Sequence, residues 1–451
     1  MPQERRLTVS RLGRLSQLGR LAGSIAGGAM AEGARQIASG HRPSIGGMLL
    51  TPANAKRLGE RLSEMRGAAM KVGQLLSMDG GQLLPPQLSE LLARLREDAH
   101  AMPLGEVAAV LKGAWGNGWE NQFSRFSFTP LAAASIGQVH EAVLKDGRRL
   151  AIKIQYPGIR DSIDSDVDNV ASLLHFSNLL PEGLEVEPLL TEAKAQLHTE
   201  ADYEREAVAL RCFARQLEGD TRFDVPEVVE ALSTQQVLCM QFLAGQPIES
   251  LAETPSAERN DAAGALVELA LREVFEWGLV QTDPNFANYL YAPRNRRIQL
   301  LDFGATRNYE PQFRQRLRDL LSACIDGSDR DIAICAAAVG YTDPSDPPGY
   351  RDSVNALLRT ATEPARADGD YAFARSDLAA RMKDQVMEMR MRDRYARMPP
   401  PPVLFLHRKL GGLYLLLHRL RASVPVKALI TRLLADPAGD QDSARIVRMT
   451  P

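Results

Sequence analysis

An α+β architecture in two lobes, a small antiparallel sheet ahead of a helical body, is the fold class this sequence predicts. Three observations predict it. Runs rich in β-branched and aromatic residues, punctuated by turn residues, begin near Phe123. Helical periodicity precedes that block and resumes after it. The 451 residues are 45% hydrophobic and 24% charged, the balance of a globular chain of two or three domains.

The first element is basic. Residues 1–45 open with Arg5, Arg6, Arg11, Arg14 and Arg20 against the single acid Glu4, and Leu12, Leu15, Leu18 and Leu21 recur every three residues. Such an amphipathic segment can lie on an anionic membrane surface, or dock as a solvated helix on the protein body. Gly23 and Gly27 add a small-xxx-small spacing that suits helix contact. Residues 46–122 read as a helical extension. Leu58, Leu62, Met65, Ala69, Val72 and Leu76 step by three and four, and Pro85 and Pro86 open a second run through Leu88, Leu91, Leu92 and Leu95.

The sheet lobe is expected over 123–243. Gln138–Leu144 and Arg149–Gln155 are strands, joined by an Asp146-Gly147 hairpin. Helix follows over Ser162–Leu180 and Pro188–Leu217, then strands near Val225–Ala231 and Gln236–Phe242. The helical lobe is expected over 244–451, interrupted by a compact loop region from Gln281 to Arg307. Val403–Leu417 is strongly apolar, but His407, Arg408 and Lys409 interrupt it, so it reads as a buried core helix. No run reaches the roughly 18 apolar residues of a membrane span. The N-terminus lacks the pattern of a signal peptide. Cys212, Cys239, Cys324 and Cys335 are dispersed, as reduced core thiols are. These features suggest a cytoplasmic protein. The net charge of −2 gives no basis for nucleic-acid binding.

The chemistry lies in a series of spacings. Phosphoryl transfer needs a backbone cover for phosphates, a cation on them, an acid to hold that cation, and oxygen ligands for magnesium. Lys153, in Leu150-Ala151-Ile152-Lys153, matches the strand lysine of kinases. Glu206, on the following helical stretch, is its candidate partner. Asp283 and Asn288 stand five residues apart, the spacing of a kinase catalytic loop. An apolar strand leads from there to Asp302-Phe303-Gly304, fourteen residues beyond Asn288. Asp302 and Asn288 are the candidate metal ligands, and Asp283 the residue that orients the attacking group. Adenine is expected to pair with backbone at a hinge over Gln241, Phe242 and Leu243.

The departures from a protein kinase are as specific as the matches. Ala132-Ala133-Ala134-Ser135-Ile136-Gly137 stands where a glycine-rich loop is usual, and alanine resists positive φ and close phosphate approach. Gln281-Thr282-Asp283 replaces His-Arg-Asp, and Asn285 sits where Ser/Thr kinases place a lysine. After Ala305-Thr306-Arg307 a helical pattern begins near Pro311, with no A-P-E triplet and little room for a peptide platform.

These residues resemble the UbiB/AarF family of atypical kinase-like proteins, most closely its coenzyme Q branch, from about Ser10 to Ala422. The family's KxGQ motif stands as Lys71-Val72-Gly73-Gln74 and its ExD motif as Glu200-Ala201-Asp202. Lys153-Ile154-Gln155-Tyr156-Pro157-Gly158 and Leu406-His407-Arg408-Lys409-Leu410-Gly411-Gly412 also match that branch. The resemblance implies that the KxGQ helices cover the peptide site, with Lys71 and Gln74 meeting Glu200 and Asp202. From the residues alone, Lys71 could equally lie on the polar face of an amphipathic helix. The resemblance further implies ATP or ADP with Mg2+ or Mn2+, an ATPase or small-molecule kinase activity supporting ubiquinone biosynthesis, and membrane-lipid, quinone-intermediate or quinone-biosynthesis-protein partners. A nucleotide-binding pseudokinase scaffold and a true protein kinase are the alternatives. Oligomeric state stays open, a dimer included.

Overall fold

In the computed structural model, the described residues are 67–68, 71–72, 102–176, 187–393 and 399–435. The expected basic segment 1–45 and Gln74 lie outside them. The chain divides into two compact units: residues 1–208 with 227–242, and residues 209–226 with 243–451.

The first unit is built on a four-stranded antiparallel sheet in the order β1 (Phe123–Ala133), β2 (Gly137–Leu144), β3 (Arg149–Gln155), β5 (Val237–Gln241). Alternation makes one face apolar. Ala142, Leu150, Ile152 and Ile154 join Val237, Cys239 and the Val107 and Leu111 side chains of α1 (Leu104–Trp115) in one core. Burying each of these branched side chains contributes about 1.5–3 kcal/mol. The β2–β3 hairpin turns at Asp146-Gly147, where Gly147 takes φ +88°, a conformation glycine adopts without strain. Helices α2 (Ile159–Phe176), α3 (Glu187–Glu200) and the first residues of α4 (Tyr203–Gln216) complete this unit.

Three sequence expectations change here. The alanine segment is not one loop: Ala132 and Ala133 extend β1, and only Ala134–Ile136 turn. The helix expected over Pro188–Leu217 breaks at Ala201-Asp202, because the Asp202 Oδ1 accepts the Arg205 N–H at 3.1 Å and caps a new helix. No strand spans Val225–Ala231. Pro226 offers no N–H, Val228 makes one bridge to Met240, and Glu230–Leu232 coils into a 3-10 turn.

The second unit centres on α5 (Ser256–Arg272), whose Ala262, Ala263, Leu266, Leu269 and Ala270 are all buried. A helix apolar on most sides belongs inside a helical body. It runs into a π-turn, Glu273–Trp277, that ends at Gly278 with φ +65°. The Gln281–Arg307 region is more ordered than expected. β7 (Leu279–Gln281) pairs with β10 (Thr306–Asn308). β8 (Tyr289–Ala292) and β9 (Arg297–Leu300) form a hairpin, flanked by β4 (Phe223–Asp224) on β9 and β6 (Gln246–Pro247) on β8. Strands of two to four residues are too short to show a period of two in sequence.

Beyond them come α6 (Pro311–Asp326), α7 (Asp329–Val339) with a Ser328–Asp331 capping box, α8 (Pro348–Ala361), the short α9 (Glu363–Arg366) and α10 (Leu378–Asp393). The apolar run expected as a core helix is α11 (Pro401–Arg419), which buries Val403, Phe405, Leu406, Leu416 and Leu417. The unit's last helix is α12 (Val426–Ala435). Among the described residues, no helix is long and apolar enough to cross a membrane.

Candidate functional site

In the first unit, strand alternation sends Ile152 and Ile154 into the core and Lys153 to the opposite face, in register with Val139 and Leu238. There the Lys153 ammonium donates to both oxygens of Glu206, at 2.7 and 2.9 Å. The two side chains are 7% and 1% exposed. Charges this buried persist only when paired. The Tyr203 ring adds a face 5.5 Å from the ammonium. Asp202 places Glu206 by starting α4 one turn ahead of it, and the Gln155 amide donates to the Ala201 carbonyl at 2.7 Å, tying the end of β3 to that helix break. Asp202 thus acts through the backbone here.

Glu200 accepts at both oxygens: from Lys71, and from the Ser135 hydroxyl at 3.1 Å. Lys71 is 3% exposed. Four residues before it, Gly67 rests against the turn so closely that a Cβ there would lie 2.9 Å from the Ser135 carbonyl oxygen. The extension residue Lys71, the ExD residue Glu200 and the alanine turn therefore form one hydrogen-bonded set. The turn itself is pinned by the Ala134 N–H on the Gly137 carbonyl at 2.8 Å and the Tyr156 N–H on the Ile136 carbonyl at 2.9 Å. Gly137 is required by proximity, since a Cβ would stand 2.2 Å from the Ile154 oxygen.

The hinge expectation narrows. The Gln241 N–H donates to the Glu227 carbonyl at 2.8 Å and the Phe242 N–H to the Arg149 carbonyl at 3.0 Å. A base pairing at Gln241 and Phe242 would meet donors already used by the sheet.

In the second unit, β7 and β10 hold the Gln281–Asn288 and Asp302–Gly304 segments side by side. The Thr282 N–H and hydroxyl both donate to the Ala305 carbonyl, at 3.2 and 2.7 Å. Asn285 caps the 3-10 turn Phe286–Asn288 by accepting the Ala287 N–H. That turn brings the Asn288 amide nitrogen to Asp283 Oδ2 at 3.2 Å. The Leu301 N–H donates to the Asn288 carbonyl at 3.0 Å, joining the backbones of the two candidate metal-ligand segments. Asp302 Oδ1 accepts the Gly304 N–H at 2.9 Å, and Phe303 is buried with its ring 4.8 Å from that of Phe213.

Four residues near this set were not assigned a site role from the sequence. Arg408 Nη2 donates to Asp283 Oδ1 at 2.7 Å. Lys409 donates to Glu273 at 2.9 Å, and the other Glu273 oxygen accepts the Gln281 N–H at 2.9 Å. Burial lowers the Lys409 pKa, but the charge and hydrogen bond of Glu273 outweigh that and hold it above the ordinary lysine value. Gly412 stands against Pro284. The signal was present: two adjacent cations inside an apolar helix must meet partners.

Residues 94–335 match the family model described as the ABC1 atypical kinase-like domain. Over 433 residues, 94% of this chain, the sequence is 36% identical to the mitochondrial atypical kinase COQ8 of Saccharomyces cerevisiae and covers 85% of that protein. It is 36% identical over 430 residues, 93% of this chain, to the mitochondrial atypical kinase coq-8 of Caenorhabditis elegans, and spans 57% of that protein's length. Among solved structures, the Rv3197–erythromycin complex from Mycobacterium tuberculosis is similar at a TM-score of 0.60 and 28% identity, covering 85% of this chain and 97% of that one. The expected kinase-like α+β fold agrees with these findings.

Proposed function

We propose that this chain, which belongs to the ABC1 atypical kinase-like family, binds Mg-nucleotide and either hydrolyses ATP or phosphorylates a small acceptor in support of ubiquinone biosynthesis. The observation that carries this is the buried Lys153–Glu206 pair, a cation fixed at both partner oxygens and placed on the non-core face of β3. Lys153 orients the α- and β-phosphates. Asp302 and Asn288 offer a carboxylate and an amide oxygen, hard donors that suit Mg2+. Among the described residues no three His, Cys, Asp or Glu side chains gather into a metal cage. A small donor count fits an ion whose other ligands are phosphate and water. The ion, when bound, offsets charge on the transferring phosphoryl group. Asp283 accepts a hydrogen bond from the attacking hydroxyl. As that oxygen bonds to the γ-phosphorus, the bond to the bridging oxygen breaks, ADP leaves with its electron pair, and the hydroxyl proton passes to solvent.

The same residues argue against peptide substrates. Lys71 is committed to Glu200, and Pro311 starts α6 four residues after Arg307, which leaves no long activation segment. Mg-ADP should raise the melting temperature of the wild type, as a ligand specific to the folded state must. Lys153→Met should abolish the shift. Ubiquinone should be restored in a strain deleted for this gene by the wild type but not by Asp302→Asn. Normal quinone with Asp302→Asn would refute the reading in favour of a scaffold.

A further inference from the structure

Helix α11 presents one stripe to the catalytic machinery of its unit. Residues 405, 408, 409 and 412 are spaced i, i+3, i+4 and i+7, which puts them on one helical face. Each contacts a functional segment. The Arg307 guanidinium, just past the D-F-G residues, sits 3.6 Å from the centroid of the Phe405 ring. Arg408 bonds Asp283, and Lys409 bonds the Glu273 that holds the Gln281 N–H. Gly412 touches Pro284, the residue after Asp283.

We propose that Arg408 is a positioning residue for phosphoryl transfer, which with Asn288 clamps the two oxygens of Asp283 in the orientation the attacking hydroxyl requires. The loop itself carries Gln281-Thr282 ahead of Asp283 and so has no cation of its own there. The cation arrives instead from a residue 125 positions downstream. Its side chain is 7% exposed, against 23% for Asp283, so the contact is shielded on the arginine side and open on the carboxylate side. A carboxylate has about four lone-pair sites. Two are taken by Arg408 and Asn288, and the rest remain for a hydroxyl donor. The other contacts of the stripe fix α11 against the same loop, which gives the guanidinium a preorganised base.

This inference rests on the Mg-ATP reading above, and the experiment separates the two. Steady-state hydrolysis of labelled ATP, sensitive enough to keep slow variants measurable, is compared for wild type, Arg408→Gln, Arg408→Lys, Asp283→Asn and the Arg408→Gln/Asp283→Asn double variant. The Mg-ADP melting shift is recorded for each. Arg408→Gln should lower kcat roughly a hundred-fold, the scale of a 1 Å misplacement, with KM within about threefold and the melting shift retained. Arg408→Lys keeps the charge without the planar fork, and should recover about tenfold of that loss. In the Asp283→Asn background, Arg408→Gln should cost less than about twofold, since the two residues act as one unit. An equal, multiplicative loss in both backgrounds overturns the proposal, as does a loss confined to KM. Should Arg408→Gln not fold, a wild-type kcat in Arg408→Lys overturns it. A wild type that shows no Mg-ADP shift and no turnover overturns both the proposal and the reading beneath it, whereas a wild type that shifts and turns over while Arg408→Gln keeps the wild-type kcat overturns the positioning role alone.

Discussion

Replacing Gly412 with alanine would place a methyl carbon 2.0 Å from the Pro284 Cβ and 3.2 Å from its Cα. Ordinary carbon contacts begin near 3.4 Å, so α11 and the Asp283 loop must separate by about 1.4 Å. Neither side yields easily. Pro284 is a rigid ring one residue from Asp283, and α11 is fixed by the buried Lys409–Glu273 pair. Overpacking of this kind costs about 1–3 kcal/mol, against about 1 kcal/mol gained from removing a helical glycine. A net destabilisation of about 1 kcal/mol follows, and a displacement above 1 Å at Asp283 should lower kcat roughly a hundred-fold. The adjacent residue is the control. Nothing lies within 4 Å of a Cβ built on Gly411, so Gly411→Ala should stabilise by about 0.5–1 kcal/mol with unchanged turnover. In thermal melts of a domain of this size, each kcal/mol is about 2–4 °C. The two neighbouring substitutions should therefore move Tm in opposite directions. Equal melting temperatures and equal kcat in both variants would refute the packing argument.

Lys409→Met leaves Glu273 buried without its counter-charge and should cost about 3–5 kcal/mol in urea unfolding, part of it recovered by adding Glu273→Gln, which removes the charge and keeps an acceptor for the Gln281 N–H; an unchanged midpoint would show the pair to be dispensable. Acid should weaken the second unit at Arg222, whose hydrogen bonds hold the Asp220 and Glu268 carboxyls below their ordinary pKa values. Carboxyls depressed in the folded state contribute stability at pH above their unfolded values, about 3.9 and 4.3, and lose it as pH falls through and below them. Tm should drop between about pH 5 and pH 3, less steeply in Arg222→Gln, and parallel slopes would exclude this cluster as a cause. Arg222 is 41% exposed, so solvent screens the effect and it should be small.

What the sequence made legible was what local pattern encodes. Lys153 stood out because it ends Leu150-Ala151-Ile152-Lys153 on the strand after a hairpin, and Asp283, Asn288 and Asp302 because their spacings are short. Glu206 was reachable because it follows β3 on a polar helix. The break at Asp202 was missed although an aspartate ahead of Tyr203-Glu204-Arg205 is a plausible cap, because the apolar pattern runs through it. The strands between Gln281 and Arg307 were hidden by their length. Arg408 was hidden by distance: nothing local says that a cation on a C-terminal helix belongs to a carboxylate 125 residues earlier. Its neighbour Lys409 was read as an interruption of an apolar run, where it marks the buried face that reaches Glu273.

The motifs expected to form the nucleotide site are complete by Arg307, yet the contacts that hold them continue to Gly412. A fragment trimmed after the D-F-G segment would keep every expected phosphate and metal ligand. It would also lose the countercharge of Glu273, the donor on Asp283 and the wall behind Pro284. Where this chain is cut for expression or fused to another protein, the boundary has to lie past residue 419, and a tag or partner that strains α11 would reach the Asp283 loop without touching it.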